Sequence, residues 1–295
     1  MKTAIIVLNY NSEKETEEYV KKISNYNVID KVIVVDNKST TINAVKTLKQ
    51  LESEKVDVVV SEKNGGYSYG NNFGIHYLES LNEKYENIII SNADIEIEEE
   101  AIIKTLEFLN SNPKAAVAAP RMYYSNNNPA RRSAWKIRTP KLDFIHSTRL
   151  LEILFYKKLR AGEYSDEEYK NSALKVEAIA GSFFAIKYNV LKEINYFDEN
   201  VFLFYEEDIL SHKLKSLGYE VYSLNDIKFI HFESQTIKKS FNYMRKMKIL
   251  YNSKMYYQKN YNKINIFEIL AFKLLFVCRW LELLIEIPMR KLLKK

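Results

Sequence analysis

The sequence predicts an α/β protein: a mainly parallel sheet flanked by helices, followed by a C-terminal amphipathic helical extension. Three observations carry that expectation. Short, continuous, β-branched apolar runs alternate with helix-patterned segments through the first 120 residues, as in a doubly wound parallel sheet. Four of those runs lead into Asn or Asp. Residues 264–292 are rich in Ile, Leu and Phe, with most charges confined to one stripe. With 295 residues, 46% apolar and 28% charged, the chain is long enough for a substantial core and is not disordered in composition. Its single cysteine, Cys278, excludes an internal disulfide and a multi-cysteine zinc site.

Each element has its own signal. Residues 3–9 read as a fully buried strand. Ser12 and Glu15 have the spacing of a capping box, so a helix is expected from about 13 to 24. Residues 31–35 form a second strand ending at Asp36, 42–54 a helix, and 56–60 a third strand. The Gly- and Asn-rich block 64–74 precedes a helix that runs to about 81. A fourth strand, 88–90, runs into Ser91-Asn92-Ala93-Asp94. Residues 98–110 form a helix whose acids sit at the N-terminal end, as the helix dipole favours, and 115–119 form a fifth strand. Residues 120–175 are less regular and hold Arg131, Arg132 and Trp135. Residues 176–187 read as a loop entering a strand, 197–217 as an aromatic loop passing into a helix, and 221–223 and 228–231 as short strands.

In such sheets ligands bind beyond the carboxyl ends of the strands. The polar residues there are Asn9-Tyr10-Asn11, Asp36-Asn37, residues 61–64 and Asn92-Ala93-Asp94. One Asn or Asp at a strand end is an ordinary turn residue; four strand ends in succession point to a site. The glycines of 64–74 permit close backbone approach to a ligand, or simply form a tight turn before a helix. No G-x-G-x-x-G or G-K-[ST] is present, which disfavours a dehydrogenase or nucleotide hydrolase. Asp94 suits a hard divalent cation that also binds a diphosphate, or a helix-entry acid. Glu206-Glu207-Asp208, beside an aromatic run, suits a general base with a raised pKa, or a helix start that favours acids. His231 ends a short strand and is either structural or completes a metal or diphosphate site.

Leu8-Asn9-Tyr10-Asn11, Val34-Val35-Asp36-Asn37-Lys38-Ser39, the 64–74 block, Ser91-Asn92-Ala93-Asp94, Ala180-Gly181-Ser182-Phe183-Phe184, and 197–208 with Gly218-Tyr219 occur in a familiar order. Over residues 3–232 the chain resembles a family 2 glycosyltransferase of the GT-A (Rossmann-like) fold, in the rhamnosyltransferase-like branch. The resemblance implies inverting transfer of a sugar from a UDP- or dTDP-linked donor to a glycan or polyprenyl-linked acceptor in surface polysaccharide synthesis. It implies donor contacts from Asn9, Tyr10, Asn11, Asp36, Asn64, Gly66, Asn72, Asn92, Gly181 and Ser182. Asp94 falls at the metal-binding D-x-D position, whose first Asp is Asn92 here, and the implied cation is Mg²⁺ or Mn²⁺. The acidic pair aligns as Glu206-Glu207 or as Glu207-Asp208; Asp208 is favoured as base, with Glu207 the close competitor.

The net charge of +6 is unevenly spread. Residues 235–295 carry 14 Lys and Arg against 3 acids, and the preceding residues carry 30 against 35. This predicts a catalytic domain over 1–234 and a basic helical tail over 235–295. On a helix turning 100° per residue, Glu268, Arg279, Glu282, Glu286 and Arg290 fall within about 80° of one another. A narrow polar stripe and a broad apolar arc suit an anionic membrane surface, a homo-oligomer contact, or packing on the chain's own domain. The flanking basic clusters favour the membrane, with Arg290, Lys291, Lys294 and Lys295 at the headgroups. No run is long enough to span a bilayer and no leader pattern is present, so a cytoplasmic protein peripheral on the inner face is expected. The acidic body argues against nucleic acid as a partner. The alternative to an enzyme is a catalytically inactive nucleotide-sugar-binding or assembly subunit, against which the acids at 94 and 207–208 speak.

Overall fold

The computed structural model describes residues 2–232 and 243–292. In chain order it runs β1 (Thr3–Asn9), α1 (Glu13–Ile23), β2 (Lys31–Asp36), α2 (Ala44–Lys49), β3 (Val56–Val60), α3 (Gly66–Ser80), β4 (Asn87–Asn92), β5 (Ile95–Ile97), α4 (Glu99–Ser111) and β6 (Ala115–Tyr124). It continues through β7 (Ala134–Trp135), α5 (Pro140–Ile145), α6 (Arg149–Leu154), α7 (Tyr156–Leu159), β8 (Ala173–Val176), β9 (Ala178–Ile179), β10 (Phe183–Lys187) and α8 (Tyr188–Glu193). The last elements are α9 (Glu206–Ser216), β11 (Glu220–His231), α10 (Tyr243–Asn260) and α11 (Ile266–Leu292).

The main sheet has the order β3-β2-β1-β4-β10-β6-β11-β5, with β8 on β11. β1 to β4 pair in parallel, as do β6 and β11, whereas β10 runs antiparallel between β4 and β6. Alternate side chains feed opposite faces, as the pleat dictates. Ile5 and Val7 of β1 pack with Tyr19, Val20 and Ile23 of α1 and Ile102, Leu106 and Leu109 of α4. Ala4 and Ile6 pack on the other face with Ile75 and Leu78 of α3 and Leu210 and Leu214 of α9. Register sets Asn9 opposite Asp36 and Leu8 opposite Asn92, so three of the polar strand ends share one edge.

The elements differ from expectation where local chemistry competes. The Ser12 side chain caps no helix; its hydroxyl donates to Asn9 Oδ1 at 3.2 Å instead. α3 begins inside the glycine block, at Gly66, not beyond it. The 221–223 and 228–231 strands are one strand, β11, with a register shift between Leu224 and Lys228.

α10, within the expected tail, packs on the body. Tyr257 of α10 is fully buried with Val201, Tyr205 and Ile209, and Ser253 Oγ donates to the Leu203 carbonyl at 2.8 Å. Tyr256 and Tyr261 hydroxyls donate to Asp198 Oδ2 at 2.9 and 2.6 Å. Lys254, counted above as basic surface, is 6% exposed. Aromatic burial overrides the basic composition, and α10 completes the body. Lys294 and Lys295, like the side chains of Arg290 and Lys291, lie outside what is described. Among the described residues no helix is long and apolar enough to cross a membrane.

Candidate active site

The edge where β1 and β2 end is tied by buried polar groups. Asn9 is fully buried, donates to Asp36 Oδ1 at 2.8 Å and accepts from Thr16 at 2.9 Å. Asp36 Oδ2 accepts the Ser39 N–H at 3.1 Å. Asn11 Oδ1 accepts the N–H groups of Thr40 and Thr41 at 2.7 and 3.1 Å, which folds the loop after β2 against the end of β1. Buried polar groups must be paired, and these pair with one another. Asn9 and Asp36 therefore frame the edge, while Tyr10 and Asn11 keep solvent-facing surface.

The next layer is the start of α3. Asn37 Nδ2 donates to Asn64 Oδ1 at 3.2 Å and to the Gly66 carbonyl at 3.0 Å. Gly66 has φ +90°, and a Cβ there would stand 1.9 Å from the Phe202 carbonyl oxygen. The Tyr67 N–H donates to that same oxygen at 3.1 Å. Asn72, 3% exposed, donates to the Phe197 carbonyl and to Glu199 Oε1 at 2.9 and 2.8 Å and accepts the Phe197 N–H at 3.1 Å. Its amide braces the 197–199 segment. Tyr67 Oη donates to the Gly181 carbonyl at 2.7 Å. Burial and the charges of Glu207 and Glu206 hold that phenol well above its usual pKa, so it stays a donor.

The three acids open α9. Phe204 and Tyr205 before them have φ of 72° and 70°, a region in which aromatic residues are rare. The Tyr205 ring lies 5.4 Å from that of Tyr257, so α10 helps hold the turn. The acids differ sharply. Glu206 is buried, and its Oε2 has no hydrogen-bond partner among the described residues. Asp208 is 2% exposed; its Oδ1 accepts the Arg138 N–H at 2.9 Å and its Oδ2 the Trp135 indole N–H at 3.3 Å, with Arg138 Nε 3.9 Å away. Glu207 is half-buried and accepts the Gly181 N–H at 3.2 Å. Burial raises all three carboxyl pKa values, most strongly at Glu206, where the Glu207 charge adds to it; Asp208 is pushed up to about 7 despite Arg138. The favoured base of the sequence reading is thus enclosed, and its competitor Glu207 keeps partial exposure.

The other side of the edge brings Asp94 and His231 together. His231 pairs with Ile95 across β11 and β5, and the Phe232 N–H donates to the Asp94 carbonyl at 3.0 Å. His231 Nε2 stands 3.2 Å from Asp94 Oδ2, with both side chains partly exposed. Carboxylate oxygen and imidazole nitrogen converging this way can share a divalent cation. Among the described residues no group of three or more His, Cys, Asp or Glu is placed to hold a metal. Further ligands would come from a bound diphosphate and water, as is usual for Mg²⁺.

These groups form one connected edge. The Asn92 N–H donates to the Ser182 carbonyl at 2.8 Å, so Gly181-Ser182 links Glu207 on one side to Asn92 and Asp94 on the other. Tyr10, Asn11, Asn64, Asn92, Asp94, Glu207 and His231 retain exposure; Asn9, Asp36, Gly66, Asn72, Gly181, Ser182, Glu206 and Asp208 support them from behind. Sequence reasoning did not find Tyr67, Arg138 or Asp143. Asp143 is fully buried, accepts from Arg138 Nη1 at 3.3 Å and from Gln258 Nε2 at 2.6 Å, and its carbonyl accepts from Lys254 at 3.2 Å. Arg138 and Asp143 fall in the irregular 120–175 stretch, where no periodicity marks them.

Known proteins resemble this chain in sequence and in fold. The family model described as "Glycosyl transferase family 2" matches residues 4–194. The chain is 30% identical over 206 residues to the low-salt glycan biosynthesis hexosyltransferase Agl10 of Haloferax volcanii; the alignment takes in 69% of this chain but only 58% of that relative's length. Among solved structures, the mannosyltransferase PcManGT from Pyrobaculum calidifontis, in complex with GDP-Man and Mn²⁺, superposes with a TM-score of 0.56 at 17% identity, covering 85% of this chain and 62% of that one. S. aureus TarS 1-349 in complex with UDP-GlcNAc does so at 0.56 and 16%, covering 92% and 78%. At such identities the likeness is one of fold.

Proposed function

The chain belongs to glycosyl transferase family 2, and from that premise we propose that it transfers a sugar from a UDP- or dTDP-sugar to a glycan or polyprenyl-linked acceptor, with inversion, in surface polysaccharide synthesis at the inner face of the cell membrane. The observation that carries the reading is the position of Glu207: a half-buried carboxylate with raised pKa, linked through Gly181-Ser182 to the edge that ends in Asp94.

Glu207 acts as the base. It takes the proton of an acceptor hydroxyl as that oxygen bonds the anomeric carbon, and the bond from that carbon to the diphosphate oxygen breaks with its electron pair leaving on the diphosphate. Attack opposite the leaving group inverts the centre. The Gly181 N–H fixes the carboxylate, and Tyr67 holds the Gly181 carbonyl. A raised pKa suits a base that works near neutrality. Asp208 with Arg138 and Trp135 stiffens the start of α9. Asp94 and His231 would hold Mg²⁺ or Mn²⁺, which supplies charge neutralisation for the departing nucleoside diphosphate. Tyr10, Asn11, Asn64 and Asn92 are the donor contacts with exposed surface. PcManGT, a fold neighbour solved with Mn²⁺, supports the cation by analogy of fold.

The test is release of nucleoside diphosphate and formation of glycosylated product from a panel of nucleotide-sugars. Glu207→Gln should lower turnover by about 10²–10⁴-fold while donor affinity stays within a few-fold. Wild-type-like turnover in Glu207→Gln would remove it as the base. Donor binding without any turnover in the unaltered chain would favour an inactive binding subunit.

A further inference from the structure

α11 is amphipathic with its polar side inward. Arg279, 9% exposed, pairs with Glu282 at 2.7 Å and Glu286 at 2.6 Å and donates to Tyr243 Oη at 3.1 Å. Glu282 also accepts the backbone N–H groups of Arg149 and Leu150 at 2.8 and 3.1 Å, which fastens α6 to α11. The apolar side faces solvent: Ile266, Leu270, Leu274, Val277, Leu281 and Ile285 are all 53–65% exposed. At 100° per residue these six fall within about 100° of one another, opposite the polar stripe, along roughly 30 Å of helix. On α6, Leu150, Ile153 and Leu154 are 60–64% exposed. Singly exposed apolar residues are ordinary; a continuous row over two adjoining helices marks an interaction surface.

We propose that the α6–α11 face docks on an anionic lipid leaflet, with α11 lying in the plane of the interface. Charge selects this occupant. Residues 140–160 hold five Lys and Arg and two acids, of which Asp143 is fully buried. Lys141, Arg149, Lys157, Lys158 and Arg160 are exposed, as is Lys273, at the margin of the apolar arc of α11. Anionic headgroups match that fringe, and Lys273 can rise to them along its methylene stem. The groove lining holds Glu268 against Lys141 and Lys158, and Glu152 and Glu163 already pair with Arg149 and Arg160, so a second copy docked on the same face would bring more basic than acidic groups to the interface. An apolar groove of about 340 Å³ lies between α5, α6 and α11, with Phe144, Phe155 and Phe272 in its wall and Lys141 and Lys158 beside them. Such a groove suits one hydrocarbon chain below a phosphate headgroup. The proposal stands on this surface and not on the sugar-transfer reading. It puts lipid close to the acids, because α5 begins two residues after Arg138, whose N–H donates to Asp208.

The experiment is flotation of the full chain with vesicles of phosphatidylcholine alone or with about one third phosphatidylglycerol. The anionic vesicles should carry at least about fivefold more protein, and high salt should reduce the difference. Leu274→Glu with Leu281→Glu should lower the bound fraction about tenfold or more, and Ile153→Glu with Leu154→Glu should do likewise. All four residues are exposed, and circular dichroism checks that the variants fold. Equal flotation of variants and parent overturns the proposal. So does a full chain that stays behind with both vesicles, and if the variants then turn a dimer into monomers by sedimentation, the face belongs to a second copy. Nucleotide-sugar turnover measured in solution on the same samples reports on sugar transfer separately.

Discussion

Three adjacent carboxylates at Glu206, Glu207 and Asp208 behave as three different groups, because burial and partners differ from one to the next. Asp208 has the better-defined environment, and its titration can be read in stability. Its folded pKa of about 7 lies above the ordinary 3.8, so the folded state binds the proton more tightly than the unfolded one. That contribution is fully present below about pH 4 and is lost as pH rises through about 7. Asp208→Asn should therefore flatten the fall in stability between those values, measured by urea unfolding at several pH values. An unchanged slope would show that Asp208 does not titrate there. The acids themselves were legible in the sequence; their ranking was not. It depends on Trp135 and Arg138, some 70 positions earlier in a stretch with no regular pattern, and on which face of α9 the fold turns outward.

Secondary elements were legible where one physical signal dominated. The buried strands β1 to β4 and β6 announce themselves by apolar runs. The direction of β10 does not, since periodicity carries no sign, and β5, β7 and β9 are too short to show a period. α10 misled for a different reason: its lysines suggest surface, yet its tyrosines pack beneath the turn that aims the acids. The junction of α3 with the 202 loop was half legible, as a glycine block without its reason. Gly66 supplies that reason, through its positive φ and its approach to the Phe202 carbonyl. Gly66→Ala should lower stability by about 1–3 kcal/mol and loosen the Tyr67–Gly181 contact, seen as a lower melting temperature together with weaker donor binding. A variant that melts and binds like the parent would mean that the junction yields without cost.

At the scale of the whole molecule, the candidate site is one edge with two ends, Glu207 at one and Asp94 with His231 at the other. Ligands that bind the folded state raise its stability by mass action, about 2.7 kcal/mol at a hundredfold excess over Kd. UDP or dTDP should therefore raise the melting temperature, and Mn²⁺ should raise it further. In Asp94→Ala the metal-dependent increment should vanish while the metal-independent one survives. Equal increments in both proteins would remove Asp94 from metal binding. The contacts of α10 also bear on how the protein is made. Ribosomal synthesis delivers residues 9 to 231, with every candidate site residue, before it delivers the helix that steadies them. Asp143 waits for Gln258, and Asp198 for Tyr256 and Tyr261. At about 5–20 residues per second, the nascent chain spends a few seconds with the edge drawn but unbraced. A chain that stopped before residue 256 would carry all the candidate chemistry and lack the clamp that holds it in shape.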